Sequence, residues 1–308
     1  MDIRIEGLTK TYGAQRAVDA ISFEVRPGEV LGFLGPNGAG KTTTMKMVCG
    51  LIAPDAGRIV VGGHDVLADP GAVRKRMGYL PESNPLYEDM PVLDFLRFVA
   101  RLQGVPEEKI TERIGEMVRA CGLDAEKHKK IGQLSKGYRQ RVGLAQAMVH
   151  DPEVLILDEP TTGLDPNQIV EIRALIKELG RAKTVIFSTH ILPEVEAVCD
   201  RILIIDRGRI VADGDPASLR RQAQGREVVR ACVEGGATEA VLAAIAALPG
   251  VEQVVPAGAE LYDITCASTG RDVARALFAL CAHWGWPITE LRPLETRLED
   301  IFRNLTLN

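Results

Sequence analysis

A glycine-rich segment near residue 40 ends in a lysine and a threonine, and this combination is suited to binding phosphate. The segment Gly35-Pro-Asn-Gly-Ala-Gly-Lys-Thr42 matches the pattern G-x-x-x-x-G-K-[ST] at every fixed position. Its glycines allow backbone N–H groups to turn inward around phosphate oxygens. Lys41 can reach the terminal phosphates of a nucleotide, and the Thr42 hydroxyl can hold Mg²⁺. The segment therefore predicts a nucleoside triphosphate site.

Two adjacent carboxylates end an apolar run later in the chain, Val154-Leu-Ile-Leu-Asp-Glu-Pro160. A buried strand here would present Asp158 at its C-terminal tip, where an acid can hold a metal ion. Glu159 can polarise a water molecule that attacks the terminal phosphate. Acids often end strands, so the pair in isolation is as consistent with a structural role as with a functional one. Together with the phosphate-binding segment, it predicts nucleotide hydrolysis.

The hydrophobic pattern supplies the strands and helices that would position these residues. Short apolar runs alternate with helix-like segments from Met1 to about Leu219, which is typical of an α/β domain. Several runs are continuously apolar, as in strands that are buried on both faces. Strands are predicted at residues 21–25, 30–34, 59–61, 154–157, 185–188 and 202–205.

The phosphate-binding segment lies between a predicted strand and a predicted helix. It follows the strand at 30–34 and opens a helix over 42–49, whose N-terminus adds partial positive charge. Apolar spacing predicts a further helix around 110–121 and another that begins after Asp165 and ends at Gly180.

The last part of the chain has a different pattern. It predicts a strand at 228–233, a helix at 238–248, strands at 251–255 and 260–266, a helix at 270–284, a strand at 288–292 and a short helix at 296–305. The βαββαβ order is that of a ferredoxin-like unit. We therefore predict an α/β nucleotide-binding domain over 1–219, with a helical subdomain at about 85–150, and an α+β accessory domain over 226–308.

The composition limits the classes of partner. The 308 residues carry a formal net charge of −5, and the part after Gln222 holds seven Arg, no Lys and eleven acidic residues, so we expect no nucleic acid partner. The six cysteines form no Cys-x-x-Cys pair, which argues against zinc and indicates a reducing compartment. No run approaches the roughly 18–20 apolar residues of a membrane span. We expect a soluble chain, so any membrane role would require a partner.

Leu134-Ser-Lys-Gly-Tyr-Arg-Gln-Arg141, just upstream of the two carboxylates, resembles the LSGGQ signature of ATP-binding cassette (ABC) ATPases. Other segments resemble this family in its usual order. Tyr12 resembles the aromatic residue that stacks on adenine, Gly163-Leu-Asp-Pro166 the D-loop, and Ser188-Thr-His190 the switch that contacts the γ-phosphate. Glu82 stands where the family usually carries Gln. The resemblance covers about Ile3 to Leu219, and it implies a P-loop NTPase fold and ATPase activity.

The resemblance assigns a role to each residue of the site. Glu159 and His190 would be the catalytic residues. Thr42, Glu82 and Asp158 would bind Mg²⁺, and Asp165 would make the D-loop contact. In the family, the signature contacts ATP bound by a second subunit, and here it comprises Ser135, Lys136 and Gly137. The residues that would bind ATP in the same subunit are Tyr12, Gly35, Pro36, Asn37, Gly38, Ala39, Gly40, Lys41, Thr42 and Thr43.

Some of these residues also have a structural interpretation. Tyr12 can be an aromatic residue at a strand end, His190 a core histidine, and Ser135 a helix cap. Two positions depart from the family pattern. The signature reads Ser-Lys-Gly-Tyr rather than Ser-Gly-Gly-Gln, and Glu82 adds negative charge beside phosphates.

The chain has a single ATP-binding cassette and no membrane span, and in this it resembles the separate ATPase subunits of ABC-2-type exporters. Residues 78–87, 92–98 and 298–306 resemble their sequences, and Asn84-Pro-Leu-Tyr87 is similar to the gliding-motility-associated branch. The resemblance implies a head-to-tail dimer, two sandwiched ATP molecules, an integral membrane permease as partner and a position at the cytoplasmic face of the cell membrane.

Two alternatives stay open. A soluble ABC ATPase that acts on ribosomes or DNA would normally carry two cassettes or a long coiled coil, and neither pattern is present. The accessory domain could bind a small molecule, but the sequence shows no convergent polar cluster there, which favours a role in dimer stabilisation or partner docking.

Overall fold

The computed structural model describes residues 1–223, 227–267 and 270–294. They divide into two compact units, Met1–Pro216 and a second that begins at Ala217, close to the predicted domain end at 219. The predicted helix at 296–305, and with it the exporter-like segment at 298–306, lies outside the described residues.

The first unit contains two sheets. Its strands are β1 (Ile3–Tyr12), β2 (Gln15–Val25), β3 (Val30–Leu34), β4 (Ala56–Val61), β5 (His64–Asp65), β6 (Met77–Leu80), β7 (Val154–Asp158), β8 (Thr184–Thr189), β9 (Arg201–Asp206) and β10 (Arg209–Gly214). An antiparallel sheet has the order β2-β1-β4-β5, and the second sheet has the order β10-β9-β3-β8-β7-β6. All pairs of the second sheet are parallel except that of β10 with β9.

The parallel strands lie in the core of the first unit. Every residue of β3, β7 and β8 is buried, as expected for strands that carry helices on both faces. Parallel strands end at the same sheet edge, so β3, β7 and β8 bring the residues that follow Leu34, Asp158 and Thr189 close together.

Helices connect these strands. They are α1 (Lys41–Val48), α2 (Pro70–Lys75), α3 (Val92–Leu102), α4 (Glu107–Ala120), α5 (Lys136–Met148), α6 (Pro166–Gly180) and α7 (Leu192–Val198). The three helices α3, α4 and α5 pack on one another within the range predicted for the helical subdomain. Apolar side chains of all three helices are buried, among them Phe95, Leu96, Ile110, Ile114 and Leu144.

The second unit has the predicted βαββαβ order. It follows α8 (Pro216–Ala223), which begins at the boundary between the units. Its elements are β11 (Val228–Val233), α9 (Thr238–Ala246), β12 (Val251–Gly258), β13 (Leu261–Cys266), α10 (Gly270–Trp284) and β14 (Ile288–Leu294). The antiparallel order β12-β13-β11-β14 is ferredoxin-like, which confirms this part of the fold prediction. Alternate residues of β11 and β13 form its core with α9 and α10.

Strands β1 and β10 of the first unit are among those that were not predicted. The pattern Ile3-Arg-Ile-Glu6 alternates and buries one face of β1, and β10 is an edge strand with exposed alternate residues. Both lack the continuous apolar run that marks the buried strands.

Within the described ranges, no helix combines the length and the hydrophobicity that crossing a membrane requires.

Candidate active site

The glycine-rich loop leaves the end of β3 and enters α1 at Lys41. Gly40 has φ +106°, and a β-carbon added there would lie 2.4 Å from the carbonyl oxygen of Ala17. A β-carbon on Gly35 would lie 2.4 Å from the carbonyl oxygen of Ile205. These two close approaches explain why the loop needs glycine at both ends. The loop thereby passes directly into the positive N-terminus of α1.

Lys41 lies under the loop with only 6% of its surface exposed. Its Nζ donates to the carbonyl oxygens of Gly35, at 2.8 Å, and Pro36, at 3.3 Å. The same ammonium lies 3.3 Å from Oε1 of Glu159. The loop and the end of β7 therefore meet at one buried positive charge.

An open cleft of about 360 Å³ runs along this loop. Its lining residues lie on or next to both sheets of the first unit and are Tyr12, Gln15, Ala17, Asn37, Gly38, Gly40, Lys41, Thr42, Thr43, Glu82 and Glu159. The exposed ring of Tyr12 offers a flat face there, and Lys10 Nζ lies 5.8 Å from the centre of that ring. The cleft thus combines an aromatic face with a phosphate-binding loop, which are the two features that a nucleotide requires.

Glu159 adopts a left-handed backbone conformation, with φ +49°, which is uncommon for a residue with a side chain. Ser188 stabilises this conformation, because its carbonyl oxygen and its Oγ both accept from the Glu159 N–H at 3.1 Å. The carboxylate is buried and lies 2.9 Å from His190 Nδ1, and Thr162 Oγ1 donates to it at 3.2 Å. Strained residues of this kind cluster at functional sites.

Asp158 is fully buried beside the loop. Ser188 Oγ donates to its Oδ1 at 2.5 Å, whereas its buried Oδ2 has no hydrogen-bond partner among the described residues. Burial raises the pKa of this carboxyl group, and the nearby Ser188 and Thr42 hydroxyls and the Lys41 ammonium oppose that rise. A carboxylate oxygen without a donor, beside a threonine hydroxyl, fits a ligand set for Mg²⁺.

The part of the chain that the structure describes contains no group of three or more His, Cys, Asp or Glu side chains placed to hold a metal ion. Mg²⁺ in nucleotide sites is held by one or two carboxylates together with substrate phosphates. The donor set of Asp158, Thr42 and the cleft residue Glu82 fits this type of site.

The remaining predicted residues form a second group that does not line the described cleft. Ser135 caps α5 and accepts from the Tyr138 N–H at 3.4 Å, and Asp165 caps α6. The two caps are neighbours, because the Lys136 ammonium lies over Gly163 and the Gln168 side chain lies over Gly137. The signature-like and D-loop-like segments therefore form one surface.

The comparisons with known proteins agree with this fold. Residues 18–162 match the protein family described as ABC transporter. An uncharacterised ABC transporter ATP-binding protein of Bacillus subtilis, YxlF, is 37% identical over 97% of this chain and 98% of its own. The Nod factor export ATP-binding protein I of a Rhizobium species is 35% identical over 99% of this chain and 96% of its own.

Solved structures extend this similarity to three dimensions. An ATP-binding subunit of an ABC transporter aligns with a TM-score of 0.66 and 32% identity, over 72% of this chain and 93% of its own. The cbiO1 protein of Clostridium perfringens, part of an ABC transporter complex, aligns with a TM-score of 0.65 and 30% identity, over 72% of this chain and 91% of its own. The chain therefore belongs to the ABC transporter ATP-binding protein family and is an ATP-binding ATPase subunit of that kind.

Proposed function

We propose that this chain hydrolyses ATP to power a membrane exporter. The observation that carries the proposal is the meeting of Lys41, Glu159 and His190 at the end of a cleft with an aromatic face. The name of one similar protein, the Nod factor export ATP-binding protein I, supports the direction of transport. Another similar protein, from Bacillus subtilis, is named for linearmycin resistance.

The geometry supports a mechanism of positioning and charge neutralisation. Tyr12 stacks on the base, and the N–H groups of the loop and Lys41 bind the β- and γ-phosphates. Glu159 accepts a hydrogen bond from the attacking water and aligns it with the γ-phosphate. His190, whose Nδ1 lies 2.9 Å from the Glu159 carboxylate, contacts the γ-phosphate. Thr42, Asp158 and Glu82 would hold Mg²⁺, which when bound neutralises phosphate charge.

A second copy of the chain completes the site in this proposal. Ser135, Lys136, Gly137 and Asp165 lie together but outside the cleft of their own subunit. A head-to-tail dimer would bring this surface to the nucleotide of the partner. The start of α5 and its neighbouring N–H groups would then face phosphate, and Lys136 would add a positive charge.

An exposed apolar surface is our proposed docking site for the permease at the cytoplasmic face of the membrane. Tyr87 packs on Phe95 and Phe98, yet Tyr87 and Phe98 remain exposed, as do Leu51 and Leu102. Leu51 also lines a groove of about 210 Å³ that includes Gln103, the residue after Leu102. Apolar side chains clustered beside a groove are typical of a protein interface.

For the accessory unit, we propose a role in dimer stabilisation or partner docking.

The transport role predicts that a membrane protein copurifies with the ATP-bound subunit. The Glu159→Gln variant, held with ATP and added to gently solubilised membranes, should retain a polytopic membrane protein. A Glu159→Gln chain that also carries Tyr87→Ser and Phe98→Ser should lose it, since both side chains are on the proposed docking surface. Recovery of ribosomes or nucleic acid instead would overturn the transport function and leave the ATPase chemistry in place.

Replacement of Glu82 by glutamine should leave Mg²⁺-dependent hydrolysis within about threefold of the original rate. The amide keeps an oxygen that can face Mg²⁺ and removes one negative charge beside the phosphates. Steady-state hydrolysis at varied Mg²⁺ measures the effect, with Glu88→Gln as the matched control because Glu88 is exposed and does not line the cleft. Complete loss in Glu82→Gln alone would show that the carboxylate is itself essential.

A further inference from the structure

A second carboxyl group, which the proposed mechanism does not use, is wholly buried beside the site. Glu194, in α7, has 0% of its surface exposed. Its Oε2 accepts hydrogen bonds from Thr161 Oγ1 at 2.8 Å and from Thr189 Oγ1 at 2.7 Å. Its Oε1 has no hydrogen-bond partner among the described residues, and Arg173 Nη2 lies 3.8 Å away. Burial of such a group is costly unless its contacts are specific.

The two threonines belong to the two segments that carry the proposed catalytic residues. Thr161 follows Glu159 by two positions, and Thr189 immediately precedes His190. Both threonines are buried, so their hydroxyl groups have little access to water. One oxygen atom of Glu194 therefore joins the segment after β7 to the C-terminal end of β8, next to His190.

The direction of these hydrogen bonds makes the connection specific. Each threonine hydroxyl has a single proton, and donating it to Glu194 leaves only acceptor capacity. Thr189 Oγ1 therefore accepts a hydrogen bond from the Ile191 N–H at 3.1 Å, and this bond fixes the backbone turn around His190. The arrangement therefore requires an acceptor at position 194.

We propose that Glu194 is a positioning residue for ATP hydrolysis. By holding Thr161 and Thr189 on one oxygen, it keeps the Glu159 carboxylate and His190 Nδ1 within the 2.9 Å that separates them. Glu194 does not line the cleft and acts only through these segments. The proposal rests on the roles of Glu159 and His190 given above.

The test removes the Thr161 hydroxyl group while keeping the shape of the side chain. In the full chain, Thr161→Val should lower kcat by about tenfold or more with the Kd for ATP nearly unchanged, because misalignment affects the reaction rather than binding. Thr161→Ser should restore kcat. The matched control is Thr184→Val. Thr184 is also buried, lies at the opposite end of β8 from Thr189, and donates to the Met1 carbonyl oxygen at 2.7 Å. Thr184→Val should lower the midpoint of thermal unfolding and leave kcat per folded molecule unchanged.

A double-variant cycle separates positioning from a general structural effect. In a His190→Ala background, Thr161→Val should cause little further loss of kcat, because the alignment that it disturbs is already absent. Equal fold-losses in both backgrounds, or an unchanged kcat in Thr161→Val, would overturn the proposal. If Thr161→Val does not fold, Glu194→Gln and Glu194→Leu serve instead. Glu194→Gln keeps an acceptor oxygen and should retain most of kcat. A loss of kcat in Glu194→Gln as large as the loss in Glu194→Leu would contradict the hydrogen-bond argument. Full hydrolysis by Glu159→Gln would instead refute the proposed mechanism itself.

Discussion

Replacement of Lys41 by alanine is expected to abolish measurable ATP hydrolysis. The ammonium is the buried cation at the meeting point of the loop and Glu159, and in the proposed mechanism it neutralises charge on the terminal phosphates. Loss of one such group from a preorganised site lowers the rate by roughly 10²–10³-fold. Loss of ATP affinity adds to this, because the phosphates would then face a buried Glu159 carboxylate without its cation. Phosphate release and titration with a fluorescent ATP analogue measure the two effects.

Lys46→Ala is the matched control for this prediction. Lys46 lies in the same helix, α1, but is exposed and does not line the cleft. It should keep both ATP affinity and hydrolysis. Thermal unfolding of both variants checks that the fold survives, and full activity in folded Lys41→Ala would refute our assignment of the loop.

Replacement of Glu159 by glutamine has the second largest expected effect. The amide preserves the shape of the side chain but removes the charge that polarises the attacking water, so we expect hydrolysis to fall by roughly 10²–10⁴-fold. ATP binding should persist, because Lys41 and the loop are unchanged. Unhydrolysed ATP should then hold two subunits together, and gel filtration with ATP and Mg²⁺ should show a dimer.

Glu153→Gln is the control for that experiment, since Glu153 is exposed at the opposite end of β7 from Glu159. It should hydrolyse ATP at the original rate. A Glu159→Gln variant that stays monomeric with bound ATP would contradict the proposed sandwich of two copies. A variant that still hydrolyses ATP would exclude Glu159 as the residue that orients the water.

The buried parallel strands were predictable because their signal is local. Continuous apolar runs at 30–34, 154–157 and 185–188 identify strands that bury both faces, and the observed β3, β7 and β8 confirm all three. The second unit was predictable for a similar reason, since its strands and helices alternate at short, regular intervals. The helix after the loop begins at Lys41, one residue before the predicted start, a difference within the usual fraying of helix ends.

The contacts that organise the site could not be predicted, because they join residues that are distant in sequence. Ser188 was noted only as part of the switch segment, yet it contacts both Asp158 and the Glu159 backbone. Glu194 looks like an ordinary acid in the first turn of a short helix, where a carboxylate is usually exposed. Only the packing of α7 against the sheet turns its side chain into the core. Local sequence patterns carry no signal for such a three-way contact.

The strand order of the parallel sheet has a consequence for how the chain folds during synthesis. β3 lies between β8 and β9, which begin at Thr184 and Arg201. At roughly 5–20 residues per second, a ribosome needs about 8–30 s to proceed from Leu34 to Thr184. Throughout that interval the apolar β3 has neither of its neighbouring strands, and unpaired edges of this kind are prone to aggregation. We therefore expect the nascent chain to depend on chaperones until about 200 residues have been made, and the phosphate-binding loop to acquire its shape only then.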